Sequence, residues 1–193
     1  VSTLTTDAPG AAMRLAPALP LFLLALVCPL HAATYYLSPT GDDKATGDAQ
    51  DPWASLEHAN GVLKAGDTLV LRDGEYAGTI APQSPGAEGA PITYRSATPL
   101  GAVILGGPSG DRPLCVDIRD RDYIDLDGLH LCPKRGGWMR LGNASHCTVR
   151  NCRMENATKA YSPIECKDCH YNRYENLQCW RSNSLDAAGH VSG

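Results

Sequence analysis

Apolar and polar residues alternate with period two through three stretches near the C-terminus, and the three share one template. They run from Cys115 to Leu131, from Trp138 to Met154 and from Pro163 to Cys179. Val116 aligns with Met139 and Ile164, and Ile118 with Leu141 and Cys166, at offsets of 23 and 25 residues. A second short strand begins at Ile124, Cys147 and Asn172 and passes Leu126, Val149 and Tyr174. A turn residue follows (Gly128, Asn151, Asn176), then Leu129/Cys152/Leu177 and Leu131/Met154/Cys179. Self-similarity at this period marks a solenoid, in which no repeat buries its apolar face alone and each stacks on its neighbours. Alternation sends Ile124 and Leu126 inward and Asp125 outward. Gly128, Asn151 and Asn176 suit a positive φ.

Upstream, the pattern predicts a strand at Thr34–Leu37, a polar loop over Ser38–Pro52 and one helix at Ser55–Ala65. Leu56, Ala59 and Leu63 give that helix one apolar face, Ser55 is its N-cap and Gly66 its C-terminal stop. A buried strand is expected within Asp67–Tyr76, closed by an Asp-Gly turn, with others at Gly78–Ala81, Pro91–Arg95 and Ala102–Leu105. A leucine-rich repeat has a similar period but needs a helical arc in each repeat, and no helical periodicity follows Gly66. The expected fold class is therefore all-β: a right-handed parallel β-helix with one N-terminal capping helix, C-terminally truncated.

Met13-Arg14, the apolar centre Leu21–Val27 and the small residues Ala32 and Ala33 read as a secretory signal over 13–33, after an upstream extension at 1–12. The β-helix domain is then 34–193, in a secreted or periplasmic setting. Interrupted by Pro17 and Pro20, the apolar run is too short to span a membrane. The 193 residues carry 17 Lys and Arg against 21 Asp and Glu, a formal charge of −4 with no basic block. That balance argues against nucleic acid or an anionic membrane as partner.

Of 8 cysteines, Cys28 lies in the signal. Cys147, Cys152, Cys166 and Cys179 occupy template positions filled elsewhere by Ile124, Leu129, Ile118 and Leu131, so they read as core residues. Cys166-x-x-Cys169 lacks two further ligands for a closed zinc site, and no metal is expected. His130, His146, His170 and His190 show no ligand spacing to one another or to acids and read as surface or turn residues.

Several segments resemble a known family: Thr34-Tyr-Tyr-Leu-Ser-Pro-Thr-Gly-Asp-Asp43, the helix from Trp53, Lys64-Ala-Gly-Asp-Thr-Leu-Val-Leu-Arg-Asp-Gly-Glu-Tyr76, Ala90-Pro-Ile-Thr-Tyr-Arg95 and Asp122-Tyr-Ile-Asp-Leu-Asp-Gly-Leu-His-Leu131. They resemble the opening of pectin-lyase-like β-helix proteins, most closely polysaccharide lyases of the pectate, chondroitin and alginate type. The resemblance implies a helix plugging the open end of the core, a polysaccharide partner and β-elimination on uronic-acid-containing glycans. It implies catalytic bases and calcium-binding acids in middle coils; no cofactor is evident in this chain, and no catalytic set is carried over. The alternative is a non-catalytic glycan-binding or surface structural β-helix.

The candidate substrate-binding residues are Lys134, Arg135, Trp138 and Arg140. Lys134-Arg-Gly-Gly-Trp138 is a glycine loop whose cations could neutralise a uronate and whose indole could carry a sugar ring. Trp180-Arg181 is a weaker version. The outward ladders Asp117/Arg140/Glu165 and Asp125/Thr148/Arg173 read as surface pairings worth about 0–1 kcal/mol each. Asp127 reads as a turn former rather than as half of a carboxylate pair. Asn143 and Asn156 head glycosylation sequons, meaningful only in a eukaryotic secretory route. After Cys179 no covering cap is evident, so the chain alone is expected to associate.

Overall fold

The computed structural model describes residues 32–110, 112–157 and 164–180. Residues 1–12, most of the 13–33 signal, Arg181 and His190 lie outside the described residues.

The chain enters on β1 (Thr34–Leu37), passes α1 (Leu56–Val62), and then winds. The first coil holds β2 (Thr68–Leu71) and β3 (Gly74–Tyr76), and the second β4 (Ile92–Ser96) and β5 (Ala102–Ile104). A hairpin of β6 (Gly107–Ser109) and β7 (Arg112–Arg119) opens the third coil, continued by β8 (Ile124–Asp127) and β9 (His130–Leu131). The fourth holds β10 (Gly137–Gly142), β11 (Thr148–Arg150) and β12 (Arg153–Glu155). The fifth holds β13 (Ile164–Lys167), β14 (Arg173–Glu175) and β15 (Gln178–Trp180).

Three sheets result, ordered β1-β2-β4-β8-β11-β14, β13-β10-β7-β6 and β15-β12-β9-β5-β3. Every pairing is parallel except β6 with β7. Such winding is right-handed because a twisted strand feeding a parallel neighbour packs back only that way. The register stacks Val116, Met139 and Ile164, as it does Leu126, Val149 and Tyr174, and Leu131, Met154 and Cys179. Met139, Val149, Leu126 and Leu131 are buried in one continuous core.

Left-handed backbone recurs at the turns of successive coils. Gly128, Asn151 and Asn176 have φ of 69°, 55° and 47°. Asn151 Nδ2 donates to Asp127 Oδ1 (2.8 Å) and Asn176 Nδ2 to Asn151 Oδ1 (2.9 Å), an axial ladder of side chains. Tyr123, His146 and Tyr171 also have positive φ, which is costly for bulky residues. Their rings stack at 4.8 and 5.1 Å, close to the rise between coils, so the aromatic contact offsets the strain.

The helix is shorter than expected. It stops at Val62, Leu63 leaves the helical region with ψ 140°, and Gly66 is a later turn whose N–H donates to Ala90 O. Ser55 is the N-cap, accepting from His58 N at 3.1 Å, and Leu56, Ala59 and Leu63 are buried. Asn60 docks the helix on the core: Nδ2 donates to Thr79 O, while Oδ1 accepts from Ala81 N and the fully buried Tyr94 hydroxyl. Two strand expectations also change. Asp67–Tyr76 holds two strands with a corner between them, and 78–81 makes only the isolated bridges of Gly78 with Gly106 and Ile80 with Val116.

Candidate functional site

The outward face of β7, β10 and β13 carries the most concentrated charge chemistry. Alternation points Asp117 and Arg119 outward on one rung, Arg140 and Gly142 on the next, and Glu165 and Lys167 on the third. Arg140 reaches back one coil and binds Asp117 with two parallel bonds, Nε to Oδ1 at 3.0 Å and Nη2 to Oδ2 at 2.8 Å. Arg119 Nη2 lies 3.1 Å from the same Oδ2, and the Ser109 hydroxyl donates to it. The Asp117 side chain is only 2% exposed, whereas that of Arg119 is 52% exposed. Burial alone would raise the Asp117 pKa, but hydrogen bonds from Arg140 and Ser109 and the nearby positive charges outweigh it, so the carboxyl lies below its usual value.

The expected surface ladder is therefore corrected for Asp117. The β6–β7 hairpin brings Ser109 over the carboxylate, and an antiparallel fold-back of this kind leaves no trace in a repeat alignment. Gly142 matters because it lacks a side chain: a Cβ there would meet Arg119 Cγ at 3.3 Å, so Arg119 lies across a bare stretch of β10. Beside the hairpin a groove of about 610 Å³ is lined by Glu57, Asn60, Thr79, Gln83 and Ser109. The local charge also differs from the whole. From Arg112 to Trp180 there are eleven Lys and Arg against nine Asp and Glu, whereas the chain as a whole has 17 against 21.

The four sequence candidates do not converge. Lys134 and Arg135 are exposed together and border a recess of about 230 Å³ with Leu105, Pro108 and Pro113. Arg140 is committed to Asp117 on the other side of the hairpin. Trp138 is corrected outright: it is 3% exposed within β10, and its Nε1 donates to Glu155 O at 2.7 Å, so its ring is core. The loop before it is not slack. Gly136, at φ 97°, passes so close to Pro113 that a Cβ would sit 2.0 Å from its carbonyl oxygen. Trp180, by contrast, is 59% exposed.

Asp127 pairs with Arg150 at 3.0 Å and holds the turn at Gly128, as a turn former should. Burial raises the pKa of Asp125, opposed by a hydrogen bond with Thr148. Cys147 and Cys152 are buried core residues, while Cys166 and Cys179 are exposed on the fifth coil.

His130 departs from the expectation that it has no acid near it. Its Nε2 lies 3.5 Å from Glu155 Oε2, and Cys132 Sγ completes a group whose ligand atoms all fall within 4.8 Å of one another. Neither strand shows this in isolation, since Glu155 arrives from the next coil. Among the described residues no helix is long and apolar enough to cross a membrane.

No protein-family model matches the chain. Over 98 residues it is 34% identical to the uncharacterized protein YwoF of Bacillus subtilis (strain 168), covering 49% of this chain and 21% of that protein. Among solved structures, it is similar to pectate lyase Pel9A with a TM-score of 0.61 at 21% identity, covering 75% of this chain and 38% of that one. Alginate lyase AlyGC gives 0.55 at 19% identity, covering 78% and 20%. A rhamnogalacturonan lyase gives 0.51 at 17% identity, covering 79% and 52%. The chain thus spans about a fifth of its curated relative and between a fifth and a half of these structures. At such identities the likeness is one of fold. The chain has the right-handed parallel β-helix fold on which these polysaccharide lyases are built.

Proposed function

We propose that the chain binds an acidic, uronate-containing polysaccharide along the outward face of β7, β10 and β13, as part of an exported lyase that cleaves such glycans by β-elimination. The observation that carries the reading is the sharing of one carboxylate by two arginines. Arg140 takes both Asp117 oxygens, and Arg119 adds a third guanidinium contact while remaining half exposed. A guanidinium has five N–H donors, more than this carboxylate can accept from Arg119. A uronate carboxylate presents the same acceptor geometry as Asp117 and would take the outer donors in a charge-assisted pair.

Elimination beside a uronate needs its carboxylate neutralised as charge develops, a base for the adjacent C–H and protonation of the departing oxygen. Arg119, with Lys167 two rungs on, supplies the first requirement. The chain spans 38% of the pectate lyase's length, so the base is proposed to come from coils of a longer protein. Export, read from 13–33, would bring the face to wall or matrix glycans. The second reading is a non-catalytic glycan-binding β-helix, favoured by the closed pairing of Asp117 with Arg140, which commits that carboxylate to a guanidinium.

The full-length protein that carries these coils, incubated with polygalacturonate, alginate and chondroitin, with and without calcium, separates these readings. Ultraviolet absorbance from unsaturated sugar ends supports the lyase. Retention on one of these glycans without absorbance supports the binding module. Neither result overturns both.

A further inference from the structure

We propose that His130, Cys132 and Glu155 form a binding site for a borderline transition-metal dication, zinc above all, joining the third coil to the fourth. Residues 130 and 132 are two apart on an extended segment, so their side chains leave the same face. The β9–β12 register places Leu131 beside Met154, and one step further brings Glu155 beside Cys132. The three ligand atoms lie within 4.8 Å of one another, and they are the one such group among the described residues. Tetrahedral zinc, with bonds of about 2.0–2.3 Å, needs its ligands roughly 3.5 Å apart, which small side-chain rotations reach.

A second observation points to a ligand independently. His130 Nε2 is fully buried and has no hydrogen-bond partner, although it faces the carboxylate at 3.5 Å. Buried ring nitrogens are ordinarily satisfied, and a metal bound to this one would satisfy it. The surroundings are ordered for the purpose. Trp138 Nε1 holds the Glu155 carbonyl, Ile104 O accepts from Cys132 N, and Asn156 Nδ2 donates to Cys132 Sγ at 3.2 Å. An amide donor on the sulfur orients it, as outer partners of metal ligands do. One thiolate, one carboxylate and a neutral imidazole balance a dication, so a partly buried site carries no net charge. Among the described residues, Arg153, 3.9 Å from Glu155 Oε1, is the cation that competes for the carboxylate.

The donor set selects the metal. Calcium takes six to eight oxygens and is a poor match for sulfur and imidazole nitrogen. Three protein ligands leave a fourth tetrahedral position for water or a ligand oxygen. The expectation of no metal is argued on Cys166 and Cys169, and it does not reach a site assembled across coils. Binding expels the Cys132 thiol proton to solvent. The proposal is independent of the glycan reading.

The test is titration of the reduced, metal-free full chain with cobalt(II) and then zinc. The expected result is one equivalent bound, with a near-ultraviolet thiolate-to-cobalt charge-transfer band that zinc abolishes. That band should vanish in Cys132→Ser and His130→Ala and persist in the Cys166→Ser/Cys169→Ser double variant. In unaltered protein, zinc should protect Cys132 from alkylation while Cys166 and Cys179 still react, a readout that needs no variant to fold. Absence of the band, its loss in the double variant instead, or equal alkylation of Cys132 with and without zinc would overturn the proposal.

Discussion

Arg140 clamps Asp117 across one full coil, with Nε and Nη2 each within 3.0 Å of a carboxylate oxygen whose side chain is almost wholly covered. Removing Arg140 strips the covered carboxylate of its bidentate partner and leaves only Arg119 and Ser109 on it, at a cost of up to about 3 kcal/mol. Arg140→Leu should therefore lower the urea midpoint far more than Arg173→Leu, whose pairing with Glu175 is on the exposed fifth coil. Equal shifts would mean that Asp117 is solvated in solution.

The same carboxylate sets an acid limit. Asp117 and Asp43 both lie below the ordinary value of 3.8; burial opposes this at each, and hydrogen bonds from Arg140 and Ser109, or from Ser55 and Ala54, outweigh it. A depressed folded-state pKa contributes stability that is present above the unfolded value and is lost as pH falls through the folded one. Stability should thus decline below about pH 4. The decline should be shallower in Asp117→Asn, measured as melting temperature against pH.

Asn151 holds a left-handed turn at φ 55° and sits between Asp127 and Asn176 in the side-chain ladder. Alanine loses the ladder and suffers the strain, whereas glycine loses only the ladder. Asn151→Ala should be less stable than Asn151→Gly by about 1 kcal/mol. Denaturant midpoints of the two variants check the sign, and a more stable alanine variant would contradict the turn.

Thiol reactivity should divide the cysteines by coil. Burial raises Cys147 and Cys152 to about 11 and Cys115 further still, so all three are protonated and inaccessible at mildly alkaline pH. Cys166 and Cys179 are exposed. Timed alkylation with peptide mapping should label Cys166 and Cys179 first and reach Cys115, Cys147 and Cys152 only on unfolding.

The repeat was legible because stacking forces equivalent residues into register: Val116, Met139 and Ile164 could be aligned from alternation alone. Ser55, Leu56, Ala59 and Leu63 announced the helix through a cap and one face, yet its end at Val62 is fixed by Asn60 docking on Thr79 and Tyr94, a tertiary choice. The candidate site was harder to read. The Asp117–Arg140 pair follows from register, but its cover by Ser109 depends on a hairpin that breaks the repeat. Trp138 reads as a loop residue because glycines precede it, and it is instead a buried strand residue whose indole donates to Glu155 O. His130 and Glu155, 25 residues apart, meet only because one coil separates them.

The most direct test of the charged face is backbone hydrogen exchange of the full chain with and without saturating oligogalacturonate or oligoalginate. Glycan binding at this face should add protection confined to 117–119, 140–142 and 164–167, lost in Arg119→Ala. Protection centred elsewhere, or none at saturation with either glycan, would contradict it.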